Sequence, residues 1–242
     1  MTPAEDPEVP NAPVVRRYEE LVKAGVYSPT SIHGGPERGF VVDVLRPIMA
    51  GLAGQPARVL DCGCGSGEWL EVVAGLARES GVPQAVLHGF DVTPGMVEAA
   101  QQRLHLSGEA AVLFGGDVLD PASYRAGSLT GFDLVFTFDV VQQLPRSRQS
   151  DAVDLMLAAV GVGGTLVVFD HERHSGYGRR MGLRKWVTRH LGVPLVPAYY
   201  TASAYPSLAR IAARLNATPG ISARIISSST SRKRALVASR TT

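Results

Sequence analysis

Five short apolar runs between residues 58 and 170 each give way to an aspartate, at Asp61, Asp91, Asp117, Asp139 and Asp170 in turn. The runs cover 58–60, 85–90, 111–115, 131–138 and 164–170, and their length suits strands better than helices. Amphipathic stretches separate most of them. Trp69, Val72, Val73 and Leu76 form one helical stripe after Glu68, and Val153, Met156, Leu157 and Val160 form another. Thr93 stands where it can cap a helix that Pro94 opens. Strands alternating with helices predict a parallel, doubly wound sheet covered on both faces. Such sheets take ligands beyond the carboxyl ends of their strands, which is where the five acids fall. A single acid could arrive there by accident, but five in series mark a site.

The first junction is the most specific. In Asp61-Cys62-Gly63-Cys64-Gly65-Ser66-Gly67 an apolar run stops at an acid and glycines follow at alternate positions. Glycine lets a ligand approach bare backbone, because it carries no Cβ and adopts positive φ freely. The carboxylate repels phosphate and favours a cation, so the nearest group of the ligand is expected to be positive. A dinucleotide fingerprint would need glycine at position 68, where the chain has Glu68. Cys62 and Cys64 are too close in sequence for a good disulfide. With no further cysteine for a zinc site, they read as small residues packed under the turn, in a cytoplasmic protein.

The flanks carry different signals. Residues 1–12 are acidic and proline-rich, unlike a secretory signal, and are expected to form a disordered leader. Residues 13–54 are expected to form a helical cap, with Val14, Val15, Tyr18, Leu21 and Val22 on one face. No apolar run approaches the roughly 20 residues a membrane span requires. Net charge is only +2, yet residues 171–242 hold 13 basic residues and one acid, Glu172. That segment either meets an acidic partner or neutralises the acidic part beside it. Within it, 179–191 predicts a basic amphipathic helix with Leu183, Trp186, Val187, His190 and Leu191 on its apolar face. Tyr199, Tyr200 and Tyr205 precede a helix near 207–216. Two strands, 223–229 and 235–239, joined by Arg232-Lys233-Arg234, predict a closing hairpin.

The segment 61–67 resembles the D-x-G-x-G-x-G signature of class I S-adenosylmethionine-dependent methyltransferases. The resemblance extends over about 58–170 plus the hairpin. Residues 89–96, 116–118, 132–139 and 163–170 resemble the segments that follow in that family's order. It implies a seven-stranded, mostly parallel Rossmann-like sheet ending in an antiparallel hairpin, over residues 55–242. It implies S-adenosylmethionine as methyl donor and S-adenosylhomocysteine as product. Gly63 and Gly65 would then admit the amino-acid end of the donor, and Asp61 would offer its ammonium a favourable field. Asp91 would accept the ribose hydroxyls. Asp117 and the Val118 N–H would meet adenine, beside Val92, Met96 and Phe138. Arg38 is a candidate for the donor's carboxylate.

Methyl transfer from a sulfonium needs alignment and exclusion of water more than it needs a base. Several family members place a histidine after the fourth strand, but this chain has Gln142 and Gln143. His171 and His174, just past the fifth strand, are the catalytic candidates. A metal site of these histidines with Asp170 is rejected, since the family's metal motif is not evident. The Asn/Asp-Pro-Pro-Tyr stretch of nucleic-acid amino methyltransferases is also missing, which disfavours a nucleic-acid partner. A lid at about 171–220, with Tyr18, Tyr27 and His33 opposite, suits a small acceptor with an aromatic or anionic part, such as a natural-product intermediate. The expected state is a monomer or homodimer. Two alternatives stay open: an RNA or protein methyltransferase using the basic segment, and a relative that binds the donor without transferring methyl.

Overall fold

The computed structural model describes residues 12–28, 30, 35–124, 131–197 and 203–242. The acidic leader, His33, Tyr199 and Tyr200 lie outside the described residues. Strands β1 (Ala57–Cys62), β2 (Ala85–Asp91), β3 (Ala111–Gly115), β4 (Phe132–Phe138), β5 (Val160–His171), β6 (Ile221–Ser227) and β7 (Lys233–Arg240) form one sheet in the order β3-β2-β1-β4-β5-β7-β6. The pairings from β3 across to β5 are parallel, and β7 runs antiparallel between β5 and β6. The order reverses between β1 and β4. Beyond the carboxyl ends at that reversal lies the natural crevice of such a sheet.

Period-two alternation sends neighbouring strand residues to opposite faces, and both faces are dry. Val59, Phe136, Val167, Phe169 and Val237 pack with helices α2 (Gly35–Ala50) and α3 (Glu68–Glu79). Leu60, Val135, Leu166, Val168 and Leu236 pack with α5 (Gln149–Ala159) and α7 (Leu208–Asn216). Each fully buried leucine or phenylalanine contributes roughly 1.5–3 kcal/mol of transfer free energy. Helix α1 (Ala12–Lys23) lies against α4 (Pro94–Leu106), where Gly95 N–H donates to Glu19 Oε1 at 2.9 Å. A carboxylate at a helix N-terminus is stabilised by the exposed amides there. Among the described residues no helix is long and apolar enough to cross a membrane.

Four local expectations are corrected. Val160 does not end α5. It is extended (φ −70°, ψ 131°) and opens β5, because the glycines at 161, 163 and 164 stop the helix and Val160 pairs with Phe132. Thr93 sits at the N-cap of α4, but its side chain does not cap; its N–H donates to Asp91 Oδ1 at 2.8 Å. Lys233 and Arg234 belong to β7, paired with His171 and Asp170, not to the connecting turn. The fourth concerns α6 (Gly176–Leu191), whose apolar stripe faces outward. Leu183, Trp186 and Leu191 are 63%, 51% and 62% exposed, while Gly178, Met181 and Lys185 are buried. The reason is polar. Lys185 Nζ donates to the carbonyl and the hydroxyl of Ser203 and lies 4.0 Å from the Tyr205 ring centre, which turns that side of the helix inward.

Candidate active site

A cleft opens where β1, β2 and β4 end. Gly63, Gly65 and Gly67 have φ of 81°, 50° and 80°, a region that costs other L-residues roughly 1–2 kcal/mol each. Their reasons differ. A Cβ on Gly63 would collide with Val140, and one on Gly67 would meet Ala100 at 3.1 Å. A Cβ on Gly65 would meet nothing within 4 Å. The space over Gly65 is therefore open to a ligand, whereas the other two glycines serve packing.

Asp91, at the end of β2, is tied into this turn. Gly65 N–H donates to Oδ2 at 3.0 Å and Thr93 N–H to Oδ1 at 2.8 Å. Burial pushes its carboxyl up, and these amides pull it back. Each oxygen keeps a second lone pair for a further donor. Asp61 lies below the surface of the turn and does not line the cleft. It is 1% exposed, both oxygens lack a partner among the described residues, and burial raises its carboxyl well above the usual range. An uncompensated acid there is costly, and a cation bound over the turn would relieve it.

The opposite wall carries Val92, Met96, Asp117 and Val118. Asp117 is held by its own N–H donating to Ser123 Oγ at 2.8 Å, and its Oδ1 accepts from Leu119 N–H at 2.9 Å. Tyr124 OH donates to Val118 O at 3.2 Å. Phe138 closes the floor, its ring 4.6 Å from that of Trp69. Tyr18 and Tyr27, 5.9 Å apart between ring centres, line the cleft from α1 and the turn after it, with Arg17 beside them.

At the tips of β4 and β5 sits a buried charge cluster. Lys233 Nζ is bonded to Asp139 Oδ1, which also accepts from Gln142 Nε2 at 2.7 Å. Asp170 accepts from Gln142 N–H at 2.8 Å and from its neighbour His171 N–H at 2.7 Å. Asp170 is pushed up to about 8, by burial first and the nearby Asp139 second, with Lys233 opposing. Nothing in the local sequence around Lys233 assigns it a role. Its signal was parity: counting back in twos from Val237 and Ala235 puts Lys233 on the core face.

The remaining expected site residues lie elsewhere. Arg38 does not line the cleft; its guanidinium bonds Glu68, the buried first residue of α3, at 3.2 Å. His171 is buried between the Tyr177 and Tyr205 rings, at 5.0 and 4.8 Å, and does not line the cleft. Burial and Lys233 hold its imidazole down at about 4, so it is neutral at pH 7. His174 is exposed on the turn after β5, its N–H donating to Glu172 Oε1 at 3.0 Å. Among the described residues none from 171–220 lines the cleft.

A family model described as a methyltransferase domain matches residues 60–166, from within β1 through the glycine turn to within β5. Residues 60–166 belong to the methyltransferase-domain family, in a chain whose fold is that of class I S-adenosylmethionine-dependent methyltransferases. No curated protein matches it by sequence. Among solved structures, the methyltransferase is similar to magnesium protoporphyrin IX methyltransferase from Synechocystis with bound S-adenosylhomocysteine, with 19% identity, 94% and 98% of the two chains covered, and a TM-score of 0.64. It is similar to an N-methyltransferase from Bradyrhizobium japonicum, also crystallised with S-adenosylhomocysteine, at 17% identity, 93% and 95% coverage, and a TM-score of 0.60. It also matches an O-methyltransferase family protein from Burkholderia thailandensis at 17% identity and a TM-score of 0.63, covering 93% of this chain but 59% of that one. These likenesses concern the fold. S-adenosylmethionine or S-adenosylhomocysteine is bound in several of these similar structures, and the open space over Gly65, the acceptor capacity of Asp91 and the orphaned Asp61 fit that group.

The buried groups make stability depend on pH. Asp170 keeps a proton between the ordinary carboxylate value, about 4, and about 8, where the unfolded chain has lost it, so stability falls as pH rises through that range. His171 works the other way between about 4 and its ordinary value near 6.5, refusing a proton the unfolded chain takes. The two slopes oppose below about pH 6.5, and above it the Asp170 slope stands alone of the pair, with Asp61 adding the same sign. The unfolding free energy of the ligand-free methyltransferase is expected to fall from pH 6.5 to 8 by at most about 1.4 kcal/mol per unit and group, read as a falling melting temperature. Asp170→Asn should flatten that fall. A melting temperature that rises across this range would contradict the assignment.

Proposed function

We propose that the methyltransferase acts on a small molecule with an aromatic or anionic part, such as a natural-product intermediate. The observation that carries this reading is the tyrosine-lined roof. Helix α1, anchored through Glu19 to the start of α4, sets Tyr18, Tyr27 and Arg17 along the cleft, an aromatic lining suited to a small aromatic group. The basic residues that could engage a polyanion favour no second reading, because among the described residues none from 171–220 lines the cleft.

Each donor contact follows from chemistry the cleft offers. Asp91 accepts the two ribose hydroxyls on its remaining lone pairs. Asp117 accepts from the adenine amino group, with Val118 N–H reaching a ring nitrogen and Met96 and Val92 against the ring. The Gly63–Gly65 backbone takes the amino-acid end, and Asp61 beneath it balances the ammonium. Arg38, drawn toward Glu68, reaches the donor's carboxylate only by leaving that pair. When bound, the cofactor supplies a methyl group on an electron-poor sulfonium. The residues of the chain hold the acceptor in line with it and exclude water. His171 and His174 enter this reading only as residues beyond the β5 end, and no proton transfer is assigned to them.

The test is transfer from methyl-deuterated S-adenosylmethionine to a panel of small aromatic acceptors, with total RNA and denatured protein alongside. Label is expected in one or more small molecules, with S-adenosylhomocysteine formed in equal amount. Label confined to RNA or protein would replace this reading by the polymer one. Cofactor retained with no transfer to any acceptor would point to a binding protein.

A further inference from the structure

The Asp139–Gln143 stretch contributes cleft-lining residues to which no cofactor contact is assigned. It lies against the glycine turn, since Val140 fills the place of a Cβ on Gly63. Asp139 is the one non-glycine residue with positive φ among those described, at 61°. A backbone cost of roughly 1–2 kcal/mol is accepted to put a carboxylate at this strand tip. Both bonds it receives, from Gln142 Nε2 and Lys233 Nζ, go to Oδ1. Oδ2 has no described donor, and the side chain is 30% exposed in the cleft.

Gln142 supplies the second acceptor. A carboxylate can only accept, so the amide turns its NH2 to Asp139 and its oxygen elsewhere. That Oε1 is buried with no partner among the described residues, in a side chain that is 3% exposed and lines the cleft. An unpaired buried carbonyl costs about 1–3 kcal/mol until a donor arrives. Asp139 and Gln142, bonded to each other in the cleft lining, therefore leave two acceptor oxygens with no described donor, Asp139 Oδ2 on a partly exposed side chain and the buried Gln142 Oε1. Of the nearby donors, Gln142 Nε2 and Lys233 Nζ are engaged on Asp139 Oδ1, and Gln143 Nε2 is engaged on the Asp139 carbonyl at 3.4 Å.

We propose that the acceptor group is a primary amine, with one N–H taken by Asp139 Oδ2, the other by Gln142 Oε1, and the lone pair left for the methyl group. A hydroxyl has one hydrogen for two acceptors and would need a base to remove it. A carboxylate would meet Asp139 as a like charge. An amine fits on both counts once it is the free base, the proton of its ammonium form having left to water. Its nitrogen forms the bond to the methyl carbon while the carbon–sulfur bond breaks with its electron pair going to sulfur. The positive charge passes to nitrogen, where Asp139 stabilises it, and one N–H proton then leaves to water. This proposal rests on the reading of the cleft as the methyl-transfer site.

The test uses the full chain saturated with S-adenosylhomocysteine and titrated calorimetrically with pairs differing in one group: benzylamine and benzyl alcohol, 2-phenylethylamine and 2-phenylethanol, aniline and phenol. At least one amine is expected to bind about 10-fold tighter than its alcohol. Gln142→Met and Asp139→Asn should each weaken that amine by about 5–10-fold, leaving the alcohol and S-adenosylhomocysteine within about 2-fold. Asparagine tolerates the left-handed conformation at 139, so the second variant keeps the backbone. Labelled methyl should appear on the amine of the same pair. Alcohols that bind as tightly as their amines, amines that fail to bind while S-adenosylhomocysteine does, or variants that leave amine affinity unchanged would each overturn the proposal. Failure of S-adenosylhomocysteine itself to bind would instead bring down the reading of the cleft, and this proposal with it.

Discussion

Asp91→Ala is expected to weaken S-adenosylhomocysteine binding by about 100-fold, read by calorimetry. The size follows from what the carboxylate does at once. It is assigned two ribose hydroxyls, and hydrogen bonds to a charged group are worth about 1.5–3 kcal/mol each. Losing both removes about 3 kcal/mol or more, a factor of about 100 in affinity. The same side chain accepts Gly65 N–H and Thr93 N–H, so alanine also unties the glycine turn from the α4 cap. Asp91→Asn separates the two effects. It keeps one acceptor oxygen and the same volume, so it should hold most of the stability while still losing about 10-fold in affinity. Unchanged affinity in both variants would remove the cofactor from the β2 end and overturn the site.

Much of this cleft was legible in the chain because strand tips are punctuated locally. A run of apolar residues that stops at Asp61, Asp91 or Asp117 announces both the strand and its functional end, and the helix that follows Glu68 or Pro94 sets the next crossing. Parallel order followed from those crossings. What was hidden depends on distant pairing. Lys233 reads as the middle of a basic turn until β7 is laid antiparallel on β5, which sets it opposite His171 and beside Asp170. Gln142 reads as the absence of a histidine, and only the Asp139 carboxylate fixes which end of its amide is left over. The α6 stripe misled because amphipathicity names two faces without saying which is inside. Lys185 decided that by finding Ser203 and the Tyr205 ring, partners 18 and more residues away.

The largest stability effect is expected at Lys233. It is 2% exposed, bonded to Asp139, and 4.8 Å from the Phe138 ring centre, with Asp170 also drawing on its charge. Lys233→Met keeps the aliphatic length that packs beneath Phe138 but removes the ammonium. Breaking a buried pair from one side leaves the other charge uncompensated, at a cost of about 3–5 kcal/mol, measured by urea unfolding. Asp170 gives the loss a signature. With the cation gone its carboxyl should rise beyond about 8, so at pH 6, where Asp170 is protonated in either chain, the cost is that of the unpaired Asp139, and it grows as pH approaches 8. Adding Asp170→Asn to Lys233→Met should recover about 1–3 kcal/mol relative to the sum of the single changes, since the two share one network. A Lys233→Met cost that is the same at pH 6 and pH 8 would mean the ammonium is balanced by Asp139 alone, and that Asp170 is held neutral by burial rather than by its place in the cluster.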